Sequence, residues 1–196
     1  MSSRCYIYTV AGSSASQKWP HIDSRPSIDQ NAVSEGTLGR AASWLKHCIE
    51  NHPDCGAVEE VELPTRLIKL GDSGGNPQLV ITCGMRGKYA TLSHCWGSPG
   101  SPRPLTTTGP TLDARMAGVS FNDLPRTFQD AIAVTRGLGL NYLWIDSLCI
   151  IQESREDWTK ESQEMQNVYA NAVFNISADS ASDSSMGLGR TGDLNL

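Results

Sequence analysis

The chain has 196 residues, 39% of them hydrophobic and 19% charged, a composition that fits one soluble globular domain or one core with a small appendage. Its formal net charge of −5 comes without any cluster of Lys and Arg, which excludes nucleic acid as a bulk partner, because neutralising phosphates needs grouped cations. No run reaches the roughly 18 apolar residues of a membrane span, the N-terminus lacks a secretory apolar core, and six irregularly spaced cysteines make no disulfide framework, so a cytoplasmic protein with reduced thiols is expected.

Residues 1–37 mix Ser, Pro, Gly and Asn without an apolar period and read as a flexible N-terminal arm, in which Cys5–Val10 can add an edge strand. Residues 38–86 read as a lead-in helix and hairpin packed on the core. The helix is marked by Trp44, Leu45, Cys48 and Ile49 and ends at His52-Pro53. Cys48, His52 and Cys55 fall at i, i+4 and i+7, a zinc-like spacing, but a closed structural site takes four ligands and would have to draw on His47 or Cys83. Two buried thiols with a histidine at the helix C-terminus is the favoured reading, and zinc is disfavoured. Arg66–Leu70 and Gln78–Cys83, joined by GDSGGNP, form the hairpin, and Gly74-Gly75 is a turn because no helix opening with Lys-Ser/Thr follows it.

Lys88–Trp96 is a strand buried on both faces that ends in Ser93-His94-Cys95-Trp96. The Pro-rich loop 98–110 after it is long enough to act as a lid. Asp123-Leu124-Pro125 opens a helix with Phe128, Ala131, Ile132, Thr135 and Leu138 inward, stopped at Gly137 and Gly139. Tyr142–Ile151 is a second buried strand. Ser154 starts a helix whose inward stripe is Trp158, Glu161, Met165, Val168, Tyr169 and Ala172, and Val173–Ser177 is a third strand. This order implies an α/β fold: a small parallel sheet with flanking helices, flavodoxin-like, preceded by a short helix and a β-hairpin.

Two acids stand out. Asp146 ends an apolar strand and, by the rule that open α/β sheets bind ligands at their C-terminal edge, shares a crevice with Ser93–Trp96; the alternative is a structural cap. Glu161 lies on an apolar helix face, where an unpaired carboxylate costs several kcal/mol, so it has a partner such as Arg126 or Arg136, or it has a function. A Ser93, His94 and Asp146 triad is disfavoured, because adjacent Ser and His on a strand face opposite sides and no G-x-S-x-G elbow is present. Cys149, in the apolar run LCII, is a weak nucleophile candidate.

The segments YATLSHCWG, LPRTFQDAI and YLWIDSLCIIQ, and the E-x-x-x-M-x-x-x-Y-x-N-A run from Glu161 to Ala172, closely resemble the heterokaryon incompatibility (HET) domain of filamentous fungi. WLKHCIENHPDC and LPTRLIKLGD resemble the lead-in that often precedes it. The resemblance places the domain at 87–190, with a tail at 191–196, and implies a role in non-self recognition and programmed cell death. It further implies a TIR-like fold, since HET domains are thought to be similar to Toll/interleukin-1 receptor domains, some of which cleave NAD with one glutamate. On that reading Glu161 and Asp146 are the catalytic candidates, and Ser93, His94, Trp96, Trp144 and Arg126 the substrate-binding ones. NAD is the candidate substrate, with no cofactor assigned. The competing expectations are a self-associating signalling module without catalysis, its partner a second copy or another signalling protein, and a stand-alone enzyme of small-molecule biosynthesis.

Overall fold

The structure, a computed structural model, describes residues 9–25, 29, 31–52, 59–71, 74–101 and 103–189. The chain divides into two compact units, residues 1–30 and 31–196. In the first, strands β1 (Thr9–Val10) and β2 (Ser24–Arg25) pair in parallel around helix α1 (Ser14–Lys18). Ser13 caps α1 by accepting a hydrogen bond from the Ser16 amide at 3.2 Å. The sequence reading of this segment is a flexible arm with an edge strand at Cys5–Val10, and only the last two residues of that strand fall within the described chain.

The second unit contains α2 (Glu35–Asn51), which starts well before Trp44, the first residue that marks the helix in the sequence. Ser34 caps it on the Thr37 amide at 3.2 Å, while Gly36, Thr37 and Gly39 hide the first turns from an apolar-period reading. Its contact with the core is intimate at one point, where a Cβ on Gly137 would lie 2.8 Å from Leu38.

Short strands β3 (Val61–Glu62) and β6 (Arg86–Gly87) pair antiparallel and bracket the hairpin of β4 (Arg66–Lys69) and β5 (Gln78–Ile81). Next come β7 (Ala90–Ser93), β8 (Thr107–Thr108), α3 (Leu112–Ala117), α4 (Arg126–Gly137), β9 (Tyr142–Ile145), the single turn α5 (Asp146–Cys149), β10 (Ile151–Gln152), α6 (Arg155–Ala170) and β11 (Phe174–Ser177). The main sheet runs β11-β7-β9-β4-β5. The protein is therefore α/β, with β11, β7 and β9 parallel and β4 antiparallel to both β9 and β5. Leu67 and Leu70 have no exposed surface, so the hairpin carries part of the core itself.

Side-chain alternation divides the sheet faces. Trp144 meets the Tyr169 ring of α6 at 5.5 Å, whereas Ile145 borders a small cavity with Phe128 and Ile132 of α4. The helices thus cover opposite faces, as crossovers running in opposite directions along a parallel sheet require. Burying side chains such as Leu92, Leu143, Ile145 and Ile150 completely is worth about 1.5–3 kcal/mol each.

Two local expectations are corrected. Tyr142–Ile151 is not one strand: it breaks at Asp146 into α5 and then β10, and β10 pairs with β8 inside the segment read as a Pro-rich lid. Trp158 does not face inward and is 50% exposed. The N-terminal half of α6 directs Asp157 and Glu161 at Arg66, which turns Trp158 outward.

A chain beginning at residue 31 is expected to keep a cooperative thermal transition by circular dichroism. One beginning at residue 84 removes β4 and β5, strips the pairing from one side of β9, and is expected to lose that transition.

Candidate functional site

Strand β9 delivers Asp146 to the C-terminal edge of the sheet, where the chain turns into α5. Its Oδ1 accepts from His94 Nε2 at 3.1 Å and from the Ser147 amide at 2.6 Å, and its Oδ2 accepts from Trp96 Nε1 at 2.9 Å. All three partners are donors, which suits a carboxylate, an acceptor only when ionised. The other ring nitrogen of His94 faces the Cys95 carbonyl at 3.2 Å, and the contact to the charged acceptor assigns the proton to Nε2. The side chain of His94 is 1% exposed and that of Asp146 is 24% exposed, so the imidazole is a buried support and the carboxylate reaches solvent.

His94 lies on the α4 side, its ring edge-on to Phe128 at 5.1 Å, and the indole of Trp96 lies parallel to it, offset at 6.4 Å. Ser93 is exposed. It sits in register with Ser177 of β11, and its carbonyl accepts from the Ala178 amide at 3.0 Å. In chain order the parallel strands are arranged second, first, third: the connection leaving β7 runs through α4 to β9, and the one leaving β9 returns through α6 on the other face to β11, so the loops after these neighbouring strands part to opposite faces, which is where such sheets form a crevice. The structure therefore brings Asp146, His94, Trp96 and Ser93 to one edge. Alternation still separates Ser93 from His94, and no hydrogen bond joins them among the described residues, so no hydrolytic triad is assembled.

Glu161 belongs to a second cluster at the other end of α5. It is 4% exposed, and its Oε1 lies 3.5 Å from Arg66 Nη2 without a hydrogen bond to any described residue. Arg66 also binds Asp157 and the Cys149 carbonyl. The expectation that Arg126 or Arg136 pairs with Glu161 is thus corrected. Arg126 pairs with Asp130 at 3.1 Å and is over half exposed, while Arg136 donates to the carbonyls of Leu70 and Gly75 and pins the hairpin turn.

Trp144 is corrected as a substrate-stacking residue: it is 1% exposed and packed against Tyr169. Tyr169 itself was read only as part of an inward stripe, yet burial, with the charge of Asp146 adding to it, pushes its hydroxyl up to about 12. Its position eight residues after Glu161, on the same helix face, was the available signal. Burial likewise pushes the Cys149 thiol up to about 12, which suits an inert core thiol. Of the zinc-spaced residues, Cys48 Sγ and His52 Nδ1 lie 3.5 Å apart and Cys55 lies outside the described residues. No group of three or more metal-ligating side chains occurs among the described residues.

The sequence model of the family described as Heterokaryon incompatibility protein (HET) matches residues 89–195, more than half of the chain. The chain belongs to this family. The matched segment contains β7, α4, β9, α5, α6 and β11, hence every residue of the HET site around Asp146, while Arg66 lies outside it. Comparison of this HET protein with curated proteins and with solved structures finds no match.

Two buried groups, Tyr89 and Cys149, and the half-buried Tyr169 tie stability to alkaline pH. The hydroxyls of Tyr89 and Tyr169 rise from 10.0 to about 12 and the Cys149 thiol from 9.0 to about 12, each chiefly through burial. The unfolded chain loses these protons first, so their contribution is fully present below pH ~9 and is lost as pH rises toward ~12. Urea midpoints are expected to fall across that window, with tyrosinate absorbance appearing together with unfolding.

Proposed function

We propose that this HET protein acts in fungal non-self recognition and programmed cell death by hydrolysing the nicotinamide–ribose bond of NAD or a related nucleotide at Asp146. The observation that carries the reading is a carboxylate fixed by three donors at the C-terminal edge of a parallel sheet and still open to solvent. At the two ends of α5 lie the carboxylates Asp146, Asp157 and Glu161, the last two sharing Arg66, a balance that attracts the cationic pyridinium of NAD. The half-buried Trp96 beside Asp146 offers an aromatic face to that ring.

In this mechanism the C1′–N bond breaks with its electron pair going to nitrogen, and nicotinamide leaves neutral. The ribosyl oxocarbenium left behind is stabilised by the Asp146 carboxylate. Water adds at C1′ and releases one proton by way of Asp146, giving ADP-ribose, nicotinamide and a proton. His94 aims the carboxylate, the Ser93 hydroxyl is exposed for a ribose hydroxyl, and Arg126 is the candidate contact for a phosphate. Glu161 acts from its buried cluster through its charge.

A second reading, a self-associating signalling module without catalysis, is favoured by the exposed Trp44 (68%) and Trp158 (50%), the most exposed of the large apolar side chains among the described residues. Incubation of the purified protein with NAD, followed by chromatography for free nicotinamide, separates the two. Turnover is expected in the native chain, lowered by about 10²-fold or more in Asp146→Asn, and with a raised KM in Trp96→Ala. No nicotinamide release, even from a concentrated or assembled sample, overturns the enzymatic reading.

A further inference from the structure

We infer that Arg66, contributed by a strand outside the family-matched segment, is the positioning residue that holds Asp146 in place through the single turn of α5. The inference deepens the Asp146 reading above, on which its meaning for catalysis rests. Helix α5 spans only Asp146–Cys149, a single turn at whose end the Ile150 amide donates to the Asp146 carbonyl at 3.1 Å. An isolated turn of that kind does not persist in water, since nucleating a helix fixes several torsions for one hydrogen bond. Something else must set its axis.

At its C-terminal end, Arg66 Nε donates to the Cys149 carbonyl at 2.6 Å, and Nη2 donates to Asp157 Oδ1 at 2.7 Å and Oδ2 at 2.5 Å. Asp157 Oδ2 in turn accepts from the Ile151 amide at 2.7 Å. Guanidinium and carboxylate therefore grip the chain on both sides of Ile150. The side chains of Arg66 and Asp157 are only 8% and 14% exposed, so water competes little for these bonds. Glu161 lies on the same Nη2 at 3.5 Å and opposes any swing of the guanidinium. Only a planar, multiply donating fork bridges a carbonyl and a carboxylate in this way; a lysine ammonium is a point charge at the end of a flexible stem. With the chain fixed at Cys149 and Ile151, the direction of α5 is set, and Asp146 falls between His94 and Trp96.

The test is the indole N–H resonance of Trp96 in the ¹⁵N-labelled 196-residue chain, assigned with Trp96→Phe, because that N–H donates to Asp146. Asp146→Ala gives the position of the broken contact. In Arg66→Lys the resonance is expected to move at least halfway to that position, with the indole of Trp44 on α2 unmoved. An unmoved Trp96 resonance in folded Arg66→Lys protein overturns the inference, whatever the loss in Tm. If Arg66→Lys does not fold, Asp157→Asn, which keeps the guanidinium and loosens its hold, is read in the same way: a shift in the same direction supports the inference and no shift overturns it. The readout requires no turnover, so failure of NAD hydrolysis and failure of this inference are distinguishable.

Discussion

The Arg66 guanidinium joins three segments distant in sequence: its own strand β4, the turn α5 and the helix α6. A buried cation is costly unless its donors are matched, and here carboxylates and a helix-end carbonyl match them. Removing one member of such a cluster leaves an uncompensated charge, a loss of about 3–5 kcal/mol where it has been measured for buried pairs. The cluster thus does more than fill space. It makes the hairpin, the turn and the helix mutually dependent.

That dependence explains why a segment before the family-matched region is built into the sheet. Strand β9 is paired by β7 on one side and β4 on the other, so Asp146 leaves a strand fixed on both edges. Fixed strand ends suit a site that needs a carboxylate held to fractions of an ångström. The site then has two layers. Asp146, Trp96 and Ser93 reach solvent, while the side chains of His94, Arg66, Asp157 and Glu161 are largely buried.

Much of this was legible from residue patterns. The strand–helix–strand run to Ser177, the placement of Asp146 beside Ser93–Trp96 and the burial of Cys149 follow from periodicity and the C-terminal-edge rule. Other features were hidden for physical reasons. The first turns of α2 carry Gly and Thr and show no apolar period. The N-terminal half of helix α6 turns Asp157 and Glu161, not an apolar stripe, toward the interior, so extending the stripe to Trp158 failed. Trp144, in an apolar strand, was available on paper for stacking, but burial on both sheet faces removes it.

The sequence by itself determined the fold class, the family and the two acids, because these depend on residue type and short-range spacing. It also required either a partner or a function for Glu161, since desolvation of a carboxylate is a property of the group and its helix face. Only the tertiary structure decided that the partner is Arg66, 95 positions earlier, and that the two acids occupy opposite ends of one helical turn. Strand order and side-chain reach across the sheet fix such choices, and neither is written in local periodicity. The same geometry opens Asp146 to solvent and keeps Glu161 buried.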